Sequence, residues 1–231
     1  MSNSFKHGRI VLIDNPVNID RPIQELQVAL GALTWLDKVF GRSWLAVKSS
    51  KGMFSEKKLY YPHVWQGLDD NGKARDLLEV LPNDNIKAQA FFRVNDPVTL
   101  VEFVRDGDSV MEASVDIIFW FNLKRIDSTI DYPFTELLKG QVLSVLSDMA
   151  FTPDSTLTVN AIHEQALNVF RGYNIQDLKD QELVYPWGGF RFECSIQYRE
   201  DCPTYAYNVP PYVPPVETGG GFDYSLDLAL A

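Results

Sequence analysis

The chain has 231 residues, enough for one large domain or two small ones, and its 45% hydrophobic share supports a sizeable core. A formal charge of −10, from 31 acidic against 21 basic residues, argues against a surface that grips nucleic-acid phosphates throughout. No apolar run approaches the roughly 18 residues needed to span a bilayer, and the opening MSNSFKHGRI has no signal-peptide pattern, so the expectation is a protein made and kept in a cytoplasm.

In chain order, the β-branched run Arg9 to Ile13 reads as an edge strand. Asp20 before Arg21-Pro22 reads as a helix start. Ile23, Leu26, Leu30, Leu33, Leu36 and Phe40 then recur at three- and four-residue steps, predicting a helix from Pro22 to Phe40 that Gly41 ends. Trp44 to Val47 and Leu59 to Trp65 read as strands flanking a lysine-rich hairpin tip, with Lys48, Lys51, Lys57 and Lys58 around Gly52. That tip is the best candidate for a local basic patch, against the simpler role of a solvated turn. Gly67 to Lys73 is a turn, Leu78 to Leu81 a short strand, and Pro82-Asn83-Asp84-Asn85 another turn. Ala88 to Val94 is a strand, whereas Leu100 to Val104 fits a strand or a helical turn.

Val110 to Ile126 gives the clearest alternation. Ala113, Val115, Ile117, Phe119, Phe121 and Leu123 share one face, and Glu112, Ser114, Asp116, Trp120, Asn122 and Lys124 share the other. Unbroken, such a strand extends about 50 Å, so it is expected to bend or project past its sheet. A second amphipathic helix runs from Pro133 to Met149, on Phe134, Leu137, Leu138, Val142, Val145, Leu146 and Met149. Ser155 to Val159 reads as a strand, His163 to Val169 as a short helix closed by Arg171-Gly172, and Asp177 to Leu183 as polar loop. Phe190 to Tyr198 is a last strand after Gly188-Gly189. The order predicts one α+β domain over residues 1–202, an antiparallel sheet with two long helices packed on one face.

Residues 203–231 change character. Pro203, Pro210, Pro211, Pro214 and Pro215 precede Gly219-Gly220-Gly221, and Lys and Arg are absent. Pro and Gly at this density favour extended backbone. The interspersed Tyr205, Tyr207, Tyr212, Phe222, Tyr224, Leu226 and Leu228 are unlike a solvated tail. Together with Pro210 and Pro211 they are the candidate protein-interface residues, an arm that docks on a neighbouring subunit or folds back on its own domain.

Catalytic constellations are not evident. The sequence holds no GxxxxGK[ST] phosphate loop and no GxSxG elbow. His7, His63 and His163 stand singly and Cys194 and Cys202 are read as free thiols, so no cofactor and no metal site is expected. Asp69-Asp70 and Asp106-Gly107-Asp108 read as solvated turns. His163 beside Glu164 is a nominal acid–base pair, but adjacent helical residues point apart. The chain is therefore expected to act by binding other proteins rather than a small molecule. Two alternatives stand beside that: a metal-dependent enzyme gathering Asp84, Asp96 and Asp116, and a cytoplasmic adaptor that captures peptides on a sheet edge.

The segments IQELQVALGALTWLDKVFGRSWLAVK, KKLYYPHVWQG, LEVLPNDNIKAQAFFRVNDP and YPWGGFRFECSIQY cover most of residues 20–200. They resemble virion proteins of crAss-like and related Bacteroidetes phages. The resemblance implies a non-enzymatic structural subunit of the head–tail connector (neck) or upper tail, similar in element order to tail-terminator and tail-completion proteins. It implies a homo-oligomeric ring that contacts neighbouring virion proteins and is assembled in the bacterial host cytoplasm. DNA would pass through its channel at most non-specifically, and an acidic wall would let it slide.

Overall fold

The structure, a computed structural model, describes residues 9–51, 56–67, 77–80, 86–104, 109–151, 154–174 and 183–200, with backbone alone for 48–51 and 56–57. All of these belong to one compact unit, Met1–Asp201. The elements are α1 (Asp20–Leu30), β1 (Lys38–Lys51), β2 (Glu56–Val64), β3 (Leu78–Glu79), β4 (Ala88–Phe103), β5 (Ser109–Asn122), α2 (Leu123–Ile126), α3 (Thr135–Asp148), β6 (Ser155–His163), α4 (Ala166–Val169) and β7 (Trp187–Glu200). Among the described residues seven strands form one sheet in the order β3-β2-β1-β4-β5-β7-β6. Its neighbours pair antiparallel except β1 with β4. The architecture is mixed α and β and strand-dominated.

The first helix is shorter than its apolar spacing predicts. It spans 11 residues and ends at Leu30, and the chain then turns through Leu33 N–H to Leu30 O and Leu36 N–H to Leu33 O. Leu33, Leu36 and Phe40 are buried all the same, because the turn and the start of β1 also pack into the core. Burial alone mimicked helical periodicity there. Phe40 even enters a different cluster from Leu36, which no single helix stripe would allow. Gly31 caps the helix, and Gly41 lies inside β1. Asp20 is the first helical residue rather than the cap. The segment from Arg9 makes one bridge, Ile10 to Val39, instead of an edge strand. The buried Gln27 amide donates to Val11 O at 2.7 Å and so ties that segment to α1.

β1 and β2 form the expected hairpin, with Lys48 opposite Leu59 and Lys51 opposite Glu56; Gly52 lies outside the described residues. The segments expected as turns, Leu68 to Lys73, Pro82 to Asn85 and Asp106 to Asp108, and as loop, Asp177 to Glu182, also lie outside them. Leu100 to Phe103 is strand, the outer half of β4. β5 stops at Asn122 rather than Ile126, because the Asn122 side chain accepts from Arg125 N–H and caps the turn of α2. Gly188 and Gly189 sit within β7, paired with Phe121 and Trp120.

β5 is central, flanked by β4 and β7 along its length. Its expected apolar face is correct: Ala113, Val115, Ile117, Phe119 and Phe121 join one core with Phe190, Phe192, Cys194 and Ile196 of β7. Ile23, Leu26 and Leu30 of α1 and Leu138, Val142 and Leu146 of α3 enter that same cluster. The face read as polar is buried at Asp116, Trp120 and Asn122 and half-buried at Glu112, Ser114 and Lys124. Ile118 and Trp120 belong to a second cluster with Phe40, Phe91, Val64, Val80 and Phe170, so the two ends of that face differ: apolar at Trp120, polar at Asp116 and Ser114.

Candidate functional site

The polar end of the second face forms the candidate site. Side chains on neighbouring antiparallel strands stand beside one another. The register places Arg93 of β4 opposite Asp116 of β5, and Asp116 opposite Glu193 of β7. Arg191, two residues before Glu193, reaches diagonally to Asp116 with Nη1 to Oδ2 at 3.1 Å, and the two side chains are 3% and 1% exposed. Asn95 Nδ2 donates to Asp116 Oδ2 at 3.1 Å and to Ser114 Oγ at 3.4 Å. Glu193 Oε2 lies 3.6 Å from Arg191 Nη2 and 3.0 Å from His163 Nε2.

Over this floor the α4 connection closes one side. Arg93 donates to the Arg171 carbonyl, and its guanidinium sits 5.3 Å from the Tyr173 ring centre. Gly172 takes a positive φ of 91°, a conformation that suits glycine and lets the chain turn over Arg93. On the other side the cis Asp96–Pro97 peptide forms the rim. The result is a cleft of about 470 Å³. Arg93, Arg171 and Arg191 line it together with Asp96, Asp116 and Glu193, so its formal charges balance.

A buried ion pair recovers its desolvation only when its remaining hydrogen-bonding capacity is met. Here it is not: Asp116 Oδ1 and Arg191 Nε are buried without a hydrogen-bond partner.

The structure sorts the sequence candidates as follows. Asp96 and Asp116 do line one cleft, while Asp84 lies outside the described residues. Asp116 is engaged by Arg191 and Asn95, and no group of three or more His, Cys, Asp or Glu suited to a metal occurs among the described residues. His163 pairs with Glu193 across β6 and β7 instead of with its neighbour Glu164, whose partner is Lys139. Cys194 is a free thiol buried on the opposite face. Burial pushes it up to about 12, with the Asp116 and Glu193 carboxylates adding to the shift, so it is no ready nucleophile. Cys202 and the arm residues Tyr205, Tyr207, Pro210, Pro211, Tyr212, Phe222, Tyr224, Leu226 and Leu228 lie outside the described residues.

Arg93, Asn95, Arg191 and Glu193 were not singled out from sequence. A trace existed in FRFECSIQY, where Arg191 and Glu193 alternate with Phe, Cys and Ile. Alternation marks a polar face, but only the tertiary fold shows that this face is covered.

A second feature is an exposed apolar surface on outer β4 and along the middle of β1. Leu100, Val101 and Phe103 on outer β4 are 44%, 51% and 78% exposed, and Trp44, Leu45 and Val47 on β1 are 47%, 56% and 51% exposed. Adjacent strand residues point to opposite faces, so these stretches are open on both sides.

The chain matches no protein-family model, no curated protein and no solved structure.

Proposed function

We propose that this chain is a non-enzymatic structural protein of a bacteriophage particle, a ring-forming subunit of the head–tail connector or upper tail. One observation carries the proposal: the outer half of β4 stays paired to β5 through Phe103↔Ser109 while Leu100, Val101 and Phe103 are exposed. Large apolar side chains held on an ordered strand, away from the core, are an assembly surface in waiting. Burying each in a neighbour contributes about 1.5–3 kcal/mol. In this proposal the two helices form a layer on one sheet face, in the manner of tail terminators, and outer β4 and β1 meet adjacent copies. The aromatic arm from Pro203 clasps the next subunit, and the acidic balance of the chain keeps passing DNA from sticking.

Val101→Asp with Phe103→Asp tests it by sedimentation of the full chain. The expected result is loss of the assembled species with the melting transition kept, since exposed positions change stability by only about 0.5 kcal/mol. Unchanged assembly would remove outer β4 from the interface and with it the main support for the proposal.

A second function is favoured by β6, the outermost strand beside β7. Among the described residues no strand pairs with its outer edge, which suits capture of an extended peptide. A short peptide bound one to one by a monomer would select that adaptor role over the ring.

A further inference from the structure

We infer that β6 pairs edge to edge with β6 of a second copy, joining two sheets into one across a two-fold axis. Among the described residues the two margins of the sheet differ. At one margin β3 is two residues long and carries Glu79. At the other, β6 runs nine residues, Ser155–His163, without a proline or any Asp, Glu, Lys or Arg. Shortness and charge keep an exposed edge from recruiting another strand; β3 has both and β6 has neither. The inward residues of β6 are also incompletely covered. Leu157, Val159 and Ile162 pack against the core cluster yet are only half-buried, and no residue of the strand is fully buried. A further strand along that margin covers them.

The residues of the strand select its own copy as the occupant. A bulge at Asn160, whose amide donates to Ser195 Oγ at 2.9 Å, interrupts the ladder between Val159 and Ala161. The regular edge is therefore Ser155–Val159, with Leu157 at its midpoint. Antiparallel pairing about that midpoint sets Leu157 against Leu157, Thr156 of each copy against Thr158 of the other, and Ser155 against Val159. Such an edge is self-complementary, as a two-fold contact requires. Opposed threonines are favourable cross-strand pairs, and with no charged residue in the run none meets its like. The acidic residues that bracket the strand are paired within the chain, Asp154 with Arg199 at 3.6 Å and Glu164 with Lys139. A peptide from another protein would share the backbone hydrogen bonds but not this side-chain symmetry. The pairing makes no use of outer β4, so it stands whether or not the chain forms rings.

The test measures the mass of the full chain by sedimentation equilibrium over a range of concentrations. Thr156→Lys with Thr158→Lys sets like charges opposite one another across the two-fold, and Thr156→Glu with Thr158→Glu does so with the other sign. Both positions are exposed, so each variant should melt as the parent does. The expected result is a mass that halves in either variant and is restored when the two are mixed in equal amounts. Rings set the starting mass and β6 sets the halving, so the two claims fail separately. Variants that keep the parent's mass, or a mixture that does not regain it, would overturn the inference. A parent that is monomeric at every concentration overturns it too and leaves the edge to a peptide. Should the variants unfold, hydrogen exchange of the unmodified chain decides. Alternate amides of Ser155–Val159 point away from β7, and they should be protected in a concentrated sample and exchange freely on dilution. Free exchange at both concentrations, or protection in a monomer, counts equally against the pairing.

Discussion

Phe119 shows what a single residue contributes at the centre of the sheet. Fully buried, its ring lies 4.9 Å from Phe190, 5.9 Å from Phe192 and 6.1 Å from Trp35 between ring centres. Truncating such a ring costs about 3–5 kcal/mol, and Phe119→Asp adds an unpaired charge. That variant is expected to show no cooperative urea transition by circular dichroism; an ordinary midpoint would put Phe119 on the wrong face. Cys194 makes a prediction in pH. Its thiol stays protonated in the fold up to about 12, against 9.0 for the ordinary group. The unfolded chain therefore ionises first as pH rises. Its contribution to stability is full below 9.0, falls above it and is lost through about 12. Tyr173 and Tyr198, raised chiefly by burial, act with the same sign. Urea midpoints taken from neutral to alkaline pH should fall, and fall less steeply in Cys194→Ala. An identical slope in that variant would show that the thiol is not held protonated.

Among the elements, the C-terminal arm carries the sharpest prediction. The loss of Lys and Arg beyond Pro203, with aromatics retained, motivates removing residues 203–231. The truncated chain should keep its melting transition and assemble less; unfolding would show instead that the arm completes the core. The elements also show where sequence was legible. α3 was read within two residues at its start and one at its end, because Phe134, Leu138, Val142 and Leu146 form one buried stripe. β5 was legible on its apolar face for the same reason. α1 was overrun, since Leu33, Leu36 and Phe40 are buried by a turn and a strand whose spacing happens to continue the helix. The cleft was the least legible part. Its charges come from three strands and the α4 connection, and pairing of Arg191 with Asp116, 75 residues apart, depends on register that no local pattern encodes.

At the scale of the whole molecule, a sheet covered on both faces at its centre leaves binding to its margins. α1 and α3 residues share the core cluster of one face, and the second cluster and the cleft divide the other. Among the described residues, large apolar side chains stay exposed on outer β4 and along the middle of β1. The ring proposal uses these exposed strand residues. Native mass of the purified full chain, by light scattering with negative-stain images of the same sample, tests the central claim most directly, alone and with the products of neighbouring genes. The account predicts closed rings, formed alone or once a neighbour is added. A monomer under every condition would contradict it.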